Sequence, residues 1–442
     1  MIRKARLARA FFMLDRRAMN PTEHLLRFPA LVHGWRELLL DTPPAPELRA
    51  AFADWSKAVA RDFLARADRP PASAEHAELD RWYASATGQQ TLAAVTVALW
   101  RQMSAHADHA MPAHDARHAM LKVPTASLEH LMAERVEGHA RIGALGALLH
   151  DHGRWAEERL FGGPAASVLH ARMSFLLGRE LLAGFELPPL LADQLLLTAL
   201  RHTSGAEPQD PMPLKLTVSA DRDQLFGHEI ALRLCHHAPN ERGEYRSLVG
   251  ELPGEAPGLS ALDRIEFFFR NRLPGPLFAL DAQVAARRAW LFDFLLMAEP
   301  FTASRARFAD LAADGQGAPA HQGRRLPASL LDGLDLAERH ARATALRPAA
   351  TDPETELAAL LDLPRVAPSP AYRALAMGRL ARLDDAARER LAGAFRFAAD
   401  ACHADDARQL TFLRALRQRE AADAPVAALA GLLINAGWGA AG

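Results

Sequence analysis

Thirteen of the nineteen histidines fall between His106 and His237, in a stretch whose alanines and leucines recur at helical spacing and which carries no strand pattern. A chain so patterned buries its apolar stripes by packing helix on helix, so an all-α bundle is expected there. Imidazole at that density calls for metal or pH chemistry.

The segment turns on Leu148-Leu149-His150-Asp151-His152-Gly153-Arg154, at the end of an apolar helical run that begins near Ile142. Neighbouring side chains on a helix point about 100° apart, yet at a fraying helix end a histidine and the aspartate after it can converge on one ion. Imidazole and carboxylate suit zinc, iron or manganese, and a shared carboxylate can bridge two ions. Four further residues join this doublet: His118, His170, His202 and Asp221. By subtraction, the separations from His118 to His150, Asp151 to His170, His170 to His202 and His202 to Asp221 are 32, 19, 32 and 19 residues. Each gap accommodates a helix and a return, so five helices can bring ligands to the centre of one bundle. Two short echoes accompany the spacing, His118-Ala119 with His170-Ala171 and Ala147-Leu148-Leu149-His150 with Ala199-Leu200-Arg201-His202.

With 442 residues the chain has room for two or three units, and its net charge of −1 gives no field pointing to nucleic acid or an anionic membrane. Residues 1–90 are expected to form a helical N-terminal cap, 91–238 the metal-binding domain, 239–311 a lid or linker with helices completing the core, and 328–442 a C-terminal helical region. Cys235 and Cys402 fit no CxxC spacing, which favours a reducing compartment. The apolar piece Ala10 to Leu14 is broken by Asp15-Arg16-Arg17 and is too short for a signal sequence, and no stretch is long enough to span a membrane, so the cytoplasm is the expected location.

Together, His118 in His114-Asp115-Ala116-Arg117-His118-Ala119, the His150-Asp151 doublet in Leu-Leu-His-Asp-x-Gly-Arg, and Asp221 in Ser219-Ala220-Asp221-Arg222 resemble the HD-domain superfamily of metal-dependent phosphohydrolases, over about residues 110–235. The resemblance implies a four-ligand core of His118, His150, Asp151 and Asp221, with His170 and His202 matching the extra histidines of its dinuclear branch and Asp151 as the bridge. It implies two divalent cations, drawn from manganese, iron, magnesium or zinc, that make hydroxide available at neutral pH and neutralise charge on a phosphate ester. Arg154 matches a basic position of the superfamily and suits bidentate phosphate binding, and Lys122 lies at i+4 from His118. Arg201, beside His202, is a further candidate substrate contact, with an ion pair as its alternative role, as for Arg222. His114 sits where phosphodiesterases with a similar His-x-x-x-His motif place the proton donor for the leaving oxygen.

The chain departs from two branches of the superfamily. Thr203-Ser204-Gly205-Ala206 follows His202 in place of the HD-GYP pattern, and Asp223-Gln224-Leu225 replaces the Leu-His-Asn of the guanosine-tetraphosphate hydrolases. Pro124, six residues after His118, is expected to end or kink the first ligand helix. The other histidines of the segment, His130 and His152 among them, are expected at the surface or in loops. The leading expectation is a hydrolase of a nucleotide or small phosphorylated metabolite. The same four-His, two-Asp set also resembles that of mixed-valent diiron oxygenases, and a non-catalytic nucleotide-sensing scaffold with a structural metal is the third reading. The helical flanks are candidate surfaces for homo-oligomerisation.

Overall fold

The computed structural model describes residues 46–67, 69–106, 117–161, 169–207, 209–223, 381, 384–386 and 407–437. Regular structure there is all-helical, as expected, with no strand among the described residues. In chain order come α1 (Pro46–Ala67), α2 (Ser73–Ala84) and α3 (Ala86–Ser104). A π turn (His118–Lys122) leads into α4 (Val123–Ala133), and a 3-10 turn (Gly138–Ile142) leads into α5 (Gly143–Leu149). Then follow α6 (Arg154–Phe161), α7 (Leu169–Leu182), α8 (Pro189–Arg201) with a closing 3-10 turn (His202–Ser204), α9 (Met212–Asp223), α10 (407–419) and α11 (Ala424–Gly437). The lid or linker expected over 239–311 lies outside the described residues, and of the C-terminal region expected over 328–442 only residues 381, 384–386 and 407–437 are described. Among the described residues, no helix is long and apolar enough to cross a membrane.

α5 lies at the centre because its sequence, Gly-Ala-Leu-Gly-Ala-Leu-Leu, has no polar face, and all seven residues are buried. A Cβ on Gly146 would lie 3.0 Å from Thr198 Cγ2 on α8 and 3.2 Å from Thr217 Oγ1 on α9, so the missing side chain lets two helices close on this one. α4 is enclosed as well, buried without a break from Val123 to Leu131. α9 packs on both α4 and α5, α8 packs on α5 and α9, and α7 packs on α8. The outer helices have one apolar stripe each, as α1 shows with Phe52, Val59, Ala60 and Phe63 inward. Phe63 meets Phe175 of α7 with ring centroids 4.9 Å apart.

The apolar cluster is continuous from Phe52 on α1 to Leu433 on α11, so the C-terminal helices share the core of the bundle. Asp423, just before α11, is the polar tie that seats them. It accepts from Tyr83 Oη at 2.6 Å and forms an ion pair with Arg141, whose Nε lies 2.9 Å away, and its other oxygen caps the Val426 N–H at 3.3 Å. Arg141 also pairs with Glu420. Asp423→Ala removes an N-cap and leaves the Tyr83 hydroxyl unpaired, for an expected loss of about 2–3 kcal/mol, to be read from the urea midpoint. A midpoint equal to wild type would mean that Asp423 does not hold α11 in place.

Candidate metal centre

Five elements deliver the six histidine and aspartate side chains. His118 stands on the π turn before α4, His150 caps the end of α5, Asp151 follows in the turn, His170 lies on α7, His202 ends α8 and Asp221 lies on α9. At Pro124, expected to end or kink the first ligand helix, helical structure does not end: the π turn leads directly into α4, with Pro124 in the first turn of that helix. A proline ring collides with the carbonyl four residues back in a regular helix, and the widened turn relieves that contact by bonding the Val123 N–H to the His118 carbonyl, five residues back.

The ligand atoms gather in two groups, His118 with His150 and Asp221, and Asp151 with His170 and His202; within each group they lie within 4.8 Å of one another. Asp151 faces both. Its Oδ2 is 3.4 Å from His118 Nε2 and 3.5 Å from His150 Nε2, while Oδ1 is 3.4 Å from His170 Nε2 and 3.7 Å from His202 Nε2. Asp221 Oδ1 closes the first group at 3.3 Å from His118 Nε2 and 4.0 Å from His150 Nε2. In the second group the two Nε2 atoms are 3.0 Å apart.

Backbone carbonyls orient two of the rings. His150 Nδ1 is 2.6 Å from the Ala147 carbonyl and His202 Nδ1 is 3.0 Å from the Ala199 carbonyl, each three residues back at a helix end. A carbonyl can only accept, so each Nδ1 carries the proton and each Nε2 presents its lone pair to the site. The short echo of Ala147 to His150 in Ala199 to His202 therefore has a physical content: it is the same histidine-at-helix-end turn used twice. His150 Nε2 is buried and has no hydrogen-bond partner, a state a neutral imidazole tolerates poorly unless a cation takes the lone pair. The donor set of imidazole nitrogens and carboxylate oxygens therefore fits a divalent metal ion.

Arg154 is buried and committed to carboxylates, with Nε 3.1 Å from Asp151 Oδ1 and Nη1 3.1 Å from Glu157 Oε2. Glu157, not among the residues singled out above, is thus the second partner of that guanidinium; its position three residues after Arg154 on α6 was the available signal. The Gly153 N–H donates to Ser174 Oγ at 2.8 Å and ties the turn to α7.

Electrostatics divide the two groups. Burial alone depresses the His118 imidazole, but the Asp151 and Asp221 carboxylates outweigh it and raise the pKa to about 9. Burial lowers His202 to about 4, helped by neighbouring His150. It also holds His170 well below its ordinary value, together with the positive charge of Arg154. Asp221 is kept well below the usual carboxylate range because His118 outweighs the opposing effect of burial.

Other residues singled out from sequence are placed as follows. Lys122 is buried, with Nζ 3.5 Å from Gln409 Oε1 of α10. Arg201 makes a two-pronged pair with Asp210, at 2.9 and 3.2 Å, and Arg222 donates to the Thr203 carbonyl at 3.4 Å. His114 lies outside the described residues. His130 and His152, expected at the surface or in loops, are buried, although His152 does lie in a turn. His130 belongs to α4, which is enclosed on every side, and His152 turns inward to meet Gln102 Oε1 of α3 at 3.0 Å. Comparison with protein-family models finds no match, and comparisons with curated proteins and with solved structures find none either.

Proposed function

We propose that the chain is a metal-dependent phosphohydrolase of the HD type that uses two divalent cations against a phosphate ester of a nucleotide or small metabolite, in the cytoplasm. The observation that carries the proposal is the division of Asp151, with one carboxylate oxygen toward His118 and His150 and the other toward His170 and His202. That is the arrangement expected of a bridging carboxylate between two cations. His118, His150 and Asp221 would hold one ion and His170 and His202 the other. Bound there, the pair would supply a nucleophile from water at neutral pH and neutralise phosphoryl oxygens.

The chain's own residues have separate tasks in this reading. Arg154 holds Asp151 in its two-sided pose and is itself held by Glu157, so its contribution is positioning. The histidine side chains are at most 2% exposed, whereas 22% of the Asp221 side chain is open, so substrate would approach past Asp221. His114 is the proposed proton donor to the leaving oxygen and Lys122 the proposed positive charge near the substrate, while Arg201 would reach substrate only by leaving Asp210.

The test is turnover of phosphomonoesters, phosphodiesters and nucleotides by protein loaded with manganese or iron, beside His170→Ala. Metal-dependent hydrolysis lost in the variant is the expected result. Oxygen consumption without phosphate release from the iron form would transfer the site to the oxygenase class, and neither activity would leave the scaffold reading.

Acidity should separate the two halves of the site. In metal-free protein His118 is protonated at neutral pH, so binding to its group must displace that proton, and affinity there should rise about tenfold per pH unit up to about pH 9. His170 and His202 are already neutral, so the other group should show no such rise above about pH 5. The sign for stability is opposite. A raised histidine stabilises the metal-free fold fully below the unfolded value of about 6.5, and that contribution is lost as pH rises through about 9. Metal stoichiometry at pH 6 and pH 8.5 checks the first statement, and the melting temperature of metal-free protein from about pH 7.5 to pH 9, above the range in which His170 and His202 oppose it, checks the second; two halves filling in parallel with pH would contradict the first.

A further inference from the structure

A second imidazole cluster lies away from this centre. His76 on α2 and His139 in the 3-10 turn Gly138–Ile142 bring Nδ1 and Nε2 to 3.3 Å, with ring centroids 5.2 Å apart and planes 24° from parallel. Asp80, one turn beyond His76 on α2, faces the far side of His139, 2.6 Å from Nδ1, and also accepts from the His139 backbone N–H at 3.0 Å. The turn is shaped around that carboxylate: Gly138 has φ +59°, and a Cβ on it would lie 2.7 Å from Asp80 Oδ1. Both rings are half-buried, and Asp80 is kept below its ordinary carboxylate pKa, first by the backbone N–H of His139.

Asp80 fixes the tautomer. A carboxylate accepts the Nδ1 proton of His139, so in the neutral ring Nε2 is a lone pair aimed at His76 Nδ1. The separation is long for a hydrogen bond between two ring nitrogens, which favours about 3.0 Å. Zinc–nitrogen bonds of about 2.0–2.1 Å at a tetrahedral angle place two nitrogens about 3.3–3.4 Å apart, whereas a square-planar ion would bring them to about 2.9 Å. A ligand imidazole backed by a carboxylate on its other nitrogen is a recurrent feature of bound zinc.

We propose that His76 and His139 bind a zinc ion, with Asp80 orienting His139. Glu75 is occupied by Arg69 and the Ala72 N–H, so water or a small anion completes the coordination. The ion would join α2 to the turn that runs into α5 and ends at His150, and so would brace the element carrying a ligand of the central site without entering it.

The full chain is stripped with chelator and titrated with zinc by calorimetry and equilibrium dialysis, in wild type, His76→Ala and Asp80→Asn. His76 is on a partly exposed helix face where alanine favours the helix, so the variant is expected to fold. Wild type should bind one equivalent more than His76→Ala, and zinc should raise its melting temperature further. Asp80→Asn should bind the same equivalent about 10–100-fold more weakly. Equal stoichiometry in wild type and His76→Ala would overturn the site, leaving a hydrogen bond between the rings, and unchanged affinity in Asp80→Asn would remove the carboxylate from it. Because all three proteins keep the six central side chains, loss of the difference says nothing against the central site.

Discussion

On the proposed function, Asp151→Ala is expected to empty both halves of the central site together and to lower phosphate-ester turnover by at least about 10³-fold, equivalent to about 4 kcal/mol of transition-state stabilisation. The argument is geometric: no other side chain of the six has one oxygen within 3.5 Å of His118 Nε2 and the other within 3.4 Å of His170 Nε2. His170→Ala removes a ligand from one group only, so about one equivalent of metal should survive it while turnover falls. A second consequence appears without metal. Asp151→Ala deprives the buried Arg154 guanidinium of one of its two carboxylates, which should destabilise the metal-free protein by about 3 kcal/mol. Asp151→Asn, which keeps an oxygen for Arg154 but loses the charge, should recover part of that stability and none of the turnover. Elemental analysis, turnover and melting temperature on the three variants separate these effects. Full metal content and activity in Asp151→Ala would end the bridging interpretation.

How much of this was legible without coordinates follows from the range of each interaction. The helical period was plain in α1, where the helical structure expected within residues 1–90 includes the helix Pro46–Ala67. The 32-residue separations were informative too, since His118 with His150, and His170 with His202, each fall within one half of the site. Residues outside those local patterns were not legible. Whether Arg154 meets a phosphate or a carboxylate depends on where α6 lies relative to the 151–153 turn, and the structure sets it between Asp151 and Glu157. Lys122 shares a helical repeat with His118, yet its ammonium reaches Gln409, a residue 287 positions away. His130 was misjudged because a polar residue in a helix reads as surface until the neighbours that enclose it are known, whereas His152 does lie in a turn, but a buried one. That the helix runs on past Pro124 was hidden for a local reason: a π turn has no distinctive composition, so only the backbone could reveal it.

Gly153→Ala is the smallest substitution with a large expected effect. A Cβ at residue 153 would lie 2.4 Å from the Ser174 backbone nitrogen, 2.6 Å from Met173 Cβ and 2.7 Å from the His170 carbonyl oxygen. None of these is the tip of a flexible side chain, so the methyl group can be admitted only if the turn after Asp151 and α7 move apart. That movement breaks the Gly153 to Ser174 hydrogen bond of 2.8 Å and separates Asp151 Oδ1 from His170 Nε2, now 3.4 Å away. Overpacking against backbone should destabilise the protein by about 3 kcal/mol, and metal should be lost first from the group containing His170 and His202. Ser174→Ala distinguishes the two components, because it removes the hydrogen bond and leaves the close approach intact. It should lower stability by about 1 kcal/mol and retain both equivalents of metal. If Gly153→Ala instead matched wild type in melting temperature and metal content, the turn could not lie this close to α7, and the glycine after the His150-Asp151 doublet would have no steric role.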